Sequence, residues 1–170
     1  MAYDKGIMEL QEEKTLILIK PDAVKRGLSG EIVRRMEQRG LKINGLKMIR
    51  PSKELIEKHY PDDDEHRKAM GNKTLETYAK YGFDPMTEIG TNDALKIGYM
   101  IESWNKDYLA SGPVVAVVLS GIHAVDVVRK ISGHTIPNKA DMGSIRGDFS
   151  IDSPVLANKN KRAIRNVLHA

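Results

Sequence analysis

A chain of 170 residues, 41% hydrophobic and 29% charged, has the length of one domain and a composition that excludes a disordered or fibrous polymer. It has no cysteine, which excludes a disulfide framework, a thiolate zinc site and a cysteine nucleophile. A net charge of +4 points to anionic partners such as nucleic acid, nucleotides or phosphorylated metabolites, while 5% aromatics is thin for a base-stacking surface.

The N-terminal stretch MAYDKGIMELQEEK has no signal-peptide core, so the cytoplasm is the expected compartment. Residues 15–19 (TLILI) form a short β-branched run ended by Pro21, the mark of a buried strand. Ser29 is placed to cap a helix over 30–39, with Ile32, Val33 and Met36 on one stripe and Gly40 just past its end. Residues 41–49 (LKINGLKMI) alternate as a half-buried strand. Ser52 then caps a second helix with Leu55 and Ile56 inward, stopping near His59-Tyr60-Pro61. Between 62 and 109 the pattern weakens, and one or two helices are expected, the clearer over 94–109. Residues 114–119 (VVAVVL) carry the strongest strand signal, too short to span a membrane, and 124–131 reads as a helix closed by Ser132-Gly133. A long aperiodic segment over 134–153 reads as a functional loop, and 162–168 enters a last strand. The order of elements predicts an α+β domain with a ferredoxin-like split βαβ sheet, four antiparallel strands with helices packed on one face.

Candidate chemistry clusters in a few places. Lys20 ends the first strand in Lys20-Pro21-Asp22-Ala23, where a cation suits phosphate. No GxxxxGK[ST] loop occurs, which excludes a P-loop kinase. The aperiodic segment holds Thr135, Arg146 and Asp148 shortly after Arg129. Two arginines, a hydroxyl and a lysine form a donor set for a di- or triphosphate, unless Arg146 and Asp148 pair with each other to pin the loop. Five histidines (His59, His66, His123, His134, His169) are open as nucleophile or acid–base groups, and spacing alone does not choose among them. No pair has the HExxH spacing of a zinc site.

The stretches TLILIKPDAVKRGLSGEIVRRMEQRGLKINGLK (15–47), HY (59–60), SGPVVAVVLSG (111–121), VRKISGHTIP (128–137), GSIRGDF (143–149) and RNVLH (165–169) together resemble the nucleoside diphosphate kinases. The resemblance implies a ferredoxin-like fold and transfer of the γ-phosphoryl of a nucleoside triphosphate to a nucleoside diphosphate, by ping-pong chemistry through a phosphohistidine. It makes His169 the catalytic histidine. Lys20 would contact the transferred phosphoryl with Tyr60 nearby, Arg129, Thr135 and Arg146 would hold the distal phosphates, and Asn166 would serve the sugar hydroxyl. Mg²⁺ would ride on the nucleotide phosphates with no protein metal site. A homo-oligomer, hexamer or tetramer, is implied, with no membrane partner and no specific nucleic acid. Residues 1–170 read as one such domain with an insertion over about 62–109, similar to longer archaeal-type members. In that insertion Tyr78, Tyr81 and Phe83 are candidates to cover the base. The sequence also reads as cut short after His169, where the family continues with a glutamate that orients the histidine. The rival readings are a catalytically inactive nucleotide-binding or regulatory homologue and a single-strand nucleic-acid binder, the latter lacking the RNP aromatic motif.

Overall fold

The computed structural model describes residues 12–60 and 62–170. The reading of the first eleven residues and of Pro61 as a helix stop falls outside them. Four strands, β1 (Glu12–Ile19), β2 (Lys42–Ile49), β3 (Val114–Ile122) and β4 (Leu168–His169), make one antiparallel sheet in the order β2-β3-β1-β4. This is the expected α+β, ferredoxin-like sheet. β1 lies between β3 and β4, so its end is enclosed, and Lys20 leaves it at the level where β4 begins: Leu18 pairs with His169 and Ile19 with Leu168.

The helices are α1 (Pro21–Lys25), α2 (Ser29–Gln38), α3 (Lys53–His59), α4 (Asp64–Tyr81), α5 (Pro85–Ile89), α6 (Ala94–Ala110), α7 (Ala124–Ser132), α8 (Ile145–Phe149) and α9 (Pro154–Lys159). One sheet face carries the main core, in which Ile17, Ile19, Val115, Val117 and Leu119 meet Ile32 and Met36 of α2 and Val128 of α7. Gly40 follows α2 at φ +84°, the left-handed position beyond a helix end. Ser52 caps α3 as expected, its side chain accepting from the Leu55 amide.

Several expectations need correction. Ser29 lies inside α2; the residue before the helix is Leu28, already in the helical region, and no side chain caps the end. On α3 only Ile56 is buried, while Leu55 is 48% exposed, because the short helix presents a single line of residues to the sheet. Helices also reach the second sheet face: adjacent Val114 and Val115 are both buried, the first against Ile56 of α3 and Leu109 of α6, the second in the main core. Finally, the last strand is two residues long, since Val167 takes φ +58° and breaks the extended run.

Where the pattern over 62–109 predicts one or two helices there are three, because the short α5 is set by its Asp84 cap and Pro85 rather than by any hydrophobic period. α4 and α6 cross at two glycines, where a Cβ on Gly71 would lie 1.8 Å from the Ala94 carbonyl oxygen and one on Gly98 2.2 Å from that of Arg67. Such closeness lets Arg67 reach across to Glu102, Nε to Oε2 at 2.6 Å, while its Nη1 meets Asp62 and Asp64. Lys106 extends the network to Glu57 of α3 and to Glu102. The 134–153 segment is ordered around a 3-10 turn (Pro137–Lys139) and α8. Among the described residues no helix is long and apolar enough to cross a membrane.

Candidate active site

The site forms where β4, the end of β1 and the start of α8 converge. The Val167 turn is tight: the Leu168 amide donates to the Asn166 carbonyl at 2.7 Å, and the Lys20 amide holds the Val167 carbonyl at 2.8 Å. A β-branched residue at positive φ is an outlier that persists only when its surroundings fix it. Arg146 supplies that restraint. Its guanidinium donates from Nε to the Asn166 carbonyl (3.3 Å), from Nη2 to that of Leu168 (2.9 Å) and from Nη1 to that of Gly133 (2.6 Å).

Asn166 joins the other parts. Its Oδ1 accepts from Lys20 Nζ at 2.7 Å and its Nδ2 donates to the Thr135 carbonyl at 2.9 Å. The Lys20 ammonium also lies 5.6 Å from the centre of the Tyr108 ring, and the Tyr108 hydroxyl donates to Asp22. Burial, with Arg146 adding repulsion and Asp22 opposing it, pushes Lys20 down to about 8. Arg146 falls to about 10 through burial. Neither cation is hydrogen-bonded to a carboxylate among the described residues.

His169 is the last residue of β4. The residue is exposed, yet the protein around its ring removes enough water to disfavour charge, and Lys20, His59 and Arg146 repel it further. Its pKa is pushed down to about 4, so the imidazole is neutral at physiological pH. The ring stands edge-on to His59, centroids 5.3 Å apart, and His59 in turn to Tyr60 at 5.0 Å. Burial and then Glu102 push the Tyr60 hydroxyl up to about 12, so it is a proton donor throughout the neutral range.

Of the seven residues singled out, Lys20, Arg146, Asn166, Thr135 and His169 are thus gathered by direct bonds or strand pairing, and Tyr60 through the ring of His59. Arg129 is tied in by backbone alone, its carbonyl accepting from the Gly133 amide at 3.1 Å. The side chains of Arg129 and Thr135 are exposed. Arg146 and Asp148 do not pair: Asp148 takes the Arg35 guanidinium at 2.6 Å and the Gly143 amide, pinning the loop to α2 while Arg146 turns inward. Among the base-covering candidates Tyr78 is 1% exposed and sealed in the helical core, whereas Tyr81 and Phe83 line a cavity of about 360 Å³ opposite Ile136 and Pro154. A larger cavity of about 1080 Å³, lined by Pro21, Asp22, Tyr108 and Phe149 among others, contains none of the seven residues.

Sequence reasoning missed the support under Lys20. Tyr108 reads as one more core position of α6, and Asp22 as a neighbour of Pro21; only their hydrogen bond across 86 positions makes them a unit.

Against this geometry, the family model for nucleoside diphosphate kinase matches residues 13–81 and 103–170, leaving 82–102 between the two matched blocks. The chain belongs to the nucleoside diphosphate kinase family. A nucleoside diphosphate kinase of Pyrobaculum aerophilum is 49% identical over 158 residues, covering 93% of this chain and 86% of that one. Among solved structures, an NDP kinase from Pyrobaculum aerophilum matches with TM-score 0.88 and 46% identity, over 94% of this chain and 87% of its own. A transition-state mimic of the Borrelia burgdorferi enzyme, with bound vanadate and ADP, matches with TM-score 0.72 and 32% identity, over 93% and 77%. The chain is accordingly a phosphotransferase that acts on nucleotides, carrying phosphoryl groups between nucleoside tri- and diphosphates.

Proposed function

We propose that His169 carries the phosphoryl group between the two nucleotides. The observation behind this reading is a neutral imidazole beside two cations that, among the described residues, no carboxylate hydrogen-bonds. The unprotonated ring nitrogen attacks the γ-phosphorus. The N–P bond forms as the P–O bond to the β-phosphate breaks, and the nucleoside diphosphate leaves with the electron pair. A second diphosphate then attacks the phosphohistidine by the reverse route. Lys20 and the Tyr60 hydroxyl meet the transferred phosphoryl, Arg129, Thr135 and Arg146 the distal phosphates, and Asn166 the sugar hydroxyl. The charge that spreads over the phosphoryl oxygens is what such donors stabilise. That a relative binds vanadate with ADP supports an in-line transfer of this kind.

Mg²⁺ belongs to the substrate in this reading. The cationic donor set around Lys20 suits phosphate oxygens rather than a bare cation. The ion neutralises phosphate charge from the nucleotide side. A homo-oligomer, hexamer or tetramer, is supported by the edge strand β2, whose Leu46 and Met48 are more than half exposed. Nucleotide substrates also fit a cytoplasmic location.

The test is intact mass before and after brief incubation with MgATP. One added phosphoryl group, stable in base and lost in acid, is expected, and His169→Ala should lose it entirely while still binding ADP. The rate of phosphorylation should hold down to about pH 4 and fall only below it, because His169 takes up its proton there and not at the ordinary histidine value. A phosphorylated His169→Ala protein would overturn the assignment.

A further inference from the structure

The last residue of α3, His59, has no part in the transfer described above, yet its ring packs directly against that of His169. The two planes meet at 73° with centroids 5.3 Å apart, and the Tyr60 ring stands at 86° to His59. His59 is half-buried, and among the described residues neither of its ring nitrogens has a hydrogen-bond partner. It therefore has proton capacity to spare beside the reacting group.

We propose that His59 is the charge-responsive neighbour of the phosphohistidine: neutral while His169 is free, and protonated once His169 carries a phosphoryl group. It acts as a positioning residue that holds the phosphorylated state by an imidazolium set against its anion. This rests on the reading of His169 as the phosphoryl carrier.

The charges around the pair decide the two states. Lys20 from the end of β1 and Arg146 from α8 are cations already present in the free site, and Lys20 repels a charge on His59 directly. Burial disfavours that charge as well, and His59 is held below the ordinary histidine range. From α6, Lys106 is compensated by Glu57 and Glu102, and the Tyr60 hydroxyl stays protonated. Asp22, the carboxylate near Lys20, is held by Tyr108. Lys58, the neighbour on α3, is exposed. A phosphoryl group on His169 reverses this balance, bringing roughly two negative charges at pH 7. Its distance is of the order of the ring separation, inside a Debye length of about 8 Å, so salt does not screen it. Protonation of His59 then gains a counter-ion where it had met only like charge. By linkage, the phosphorylated form binds an extra proton in the window between the two His59 values, so lowering the pH through that window shifts the equilibrium toward the phosphoenzyme.

His59→Phe keeps a ring at the same edge-on contact and removes the proton; His59→Gln serves if the first variant does not fold. The fraction of phosphoenzyme is measured by base-quenched intact mass at a fixed MgATP to MgADP ratio between pH 5.5 and 8.5. Protonation of the nucleotides is common to both proteins and cancels in their comparison. The expected result is an equilibrium constant for phosphorylation that matches the variant's at high pH and exceeds it by about tenfold at low pH, the factor carried by one unit of coupling. Parallel curves across the whole range would overturn the proposal and leave His169 untouched. A folded variant that is not phosphorylated at any pH would also overturn it, because His59 would then be needed for transfer itself. Absence of phosphorylation in the unsubstituted protein would instead remove the reading of His169.

Discussion

Two regions of the molecule each bury an arginine, and they satisfy it in different currencies. Between α4 and α6, Arg67 meets three carboxylates, Glu102, Asp62 and Asp64, and its pKa is raised, chiefly by the Glu102 hydrogen bond. At the site, Arg146 spends its donors on three backbone carbonyls, and Lys20 on an amide oxygen. Both are pushed down by burial, to about 10 and about 8. A cation neutralised by its own protein is a piece of structure. One that is hydrogen-bonded but not neutralised keeps a demand for an anion, and the direction of its shift tells the two apart.

The largest effect should come from forcing the helical pair apart. Gly98→Ala puts a Cβ 2.2 Å from the Arg67 carbonyl oxygen, backbone that has nowhere to retreat. We expect a loss of about 3 kcal/mol in urea unfolding, at the upper end for overpacking. Phosphorylation by MgATP should survive at concentrations of urea where the variant is folded. If phosphorylation were lost with stability intact, the helical pair would belong to the site and the contrast would fail. Arg146→Ala should do both things at once. The buried carbonyls of Asn166 and Leu168 and the half-buried one of Gly133 lose their donor, worth about 2 kcal/mol of stability. ADP affinity by titration calorimetry should fall by about tenfold or more, as expected for a lost charge-assisted contact to phosphate. A stability loss with unchanged affinity would make Arg146 as purely structural as Arg67.

The same contrast explains what the sequence made visible. Strands β1 and β3 and the caps at Ser52, Gly40 and Gly133 carry local signals, so their positions follow from period and turn chemistry. α4 carries none: its buried positions are Arg67, Gly71, Thr74 and Tyr78, a polar and glycine line that no hydrophobic period marks, because the helix pairs through close backbone and an ion network. Leu55 misled for the converse reason, an apolar residue next to the one position that faces inward. In the site, Lys20, Arg146, Asn166 and His169 were legible through the family motif together, but not singly. Their mutual bonds span from 20 to 146 positions, and a distance in space is not a distance along the chain. His59 stood among five equivalent histidines until the ring contact with His169 distinguished it.

Lys20 gives the finest test, because stability and binding should respond to pH with opposite signs. Its folded value of about 8 lies below the ordinary 10.5. Below pH 8 both folded and unfolded chains hold the proton, and the full cost of enclosing an ammonium is present. Between 8 and 10.5 the unfolded chain holds more of that proton than the folded one, so this group makes unfolding progressively harder as pH rises. A polyanionic nucleotide prefers the charged amine. Above pH 8 the site must take up a proton to bind it, and affinity should fall by up to about tenfold per pH unit. Urea midpoints and ADP calorimetry at pH 7, 8 and 9, compared with Lys20→Met to subtract all other groups, read both slopes. The variant should lack both. Slopes of the same sign would mean that Lys20 is already neutralised within the protein, and the site would then be organised like the ion network around Arg67.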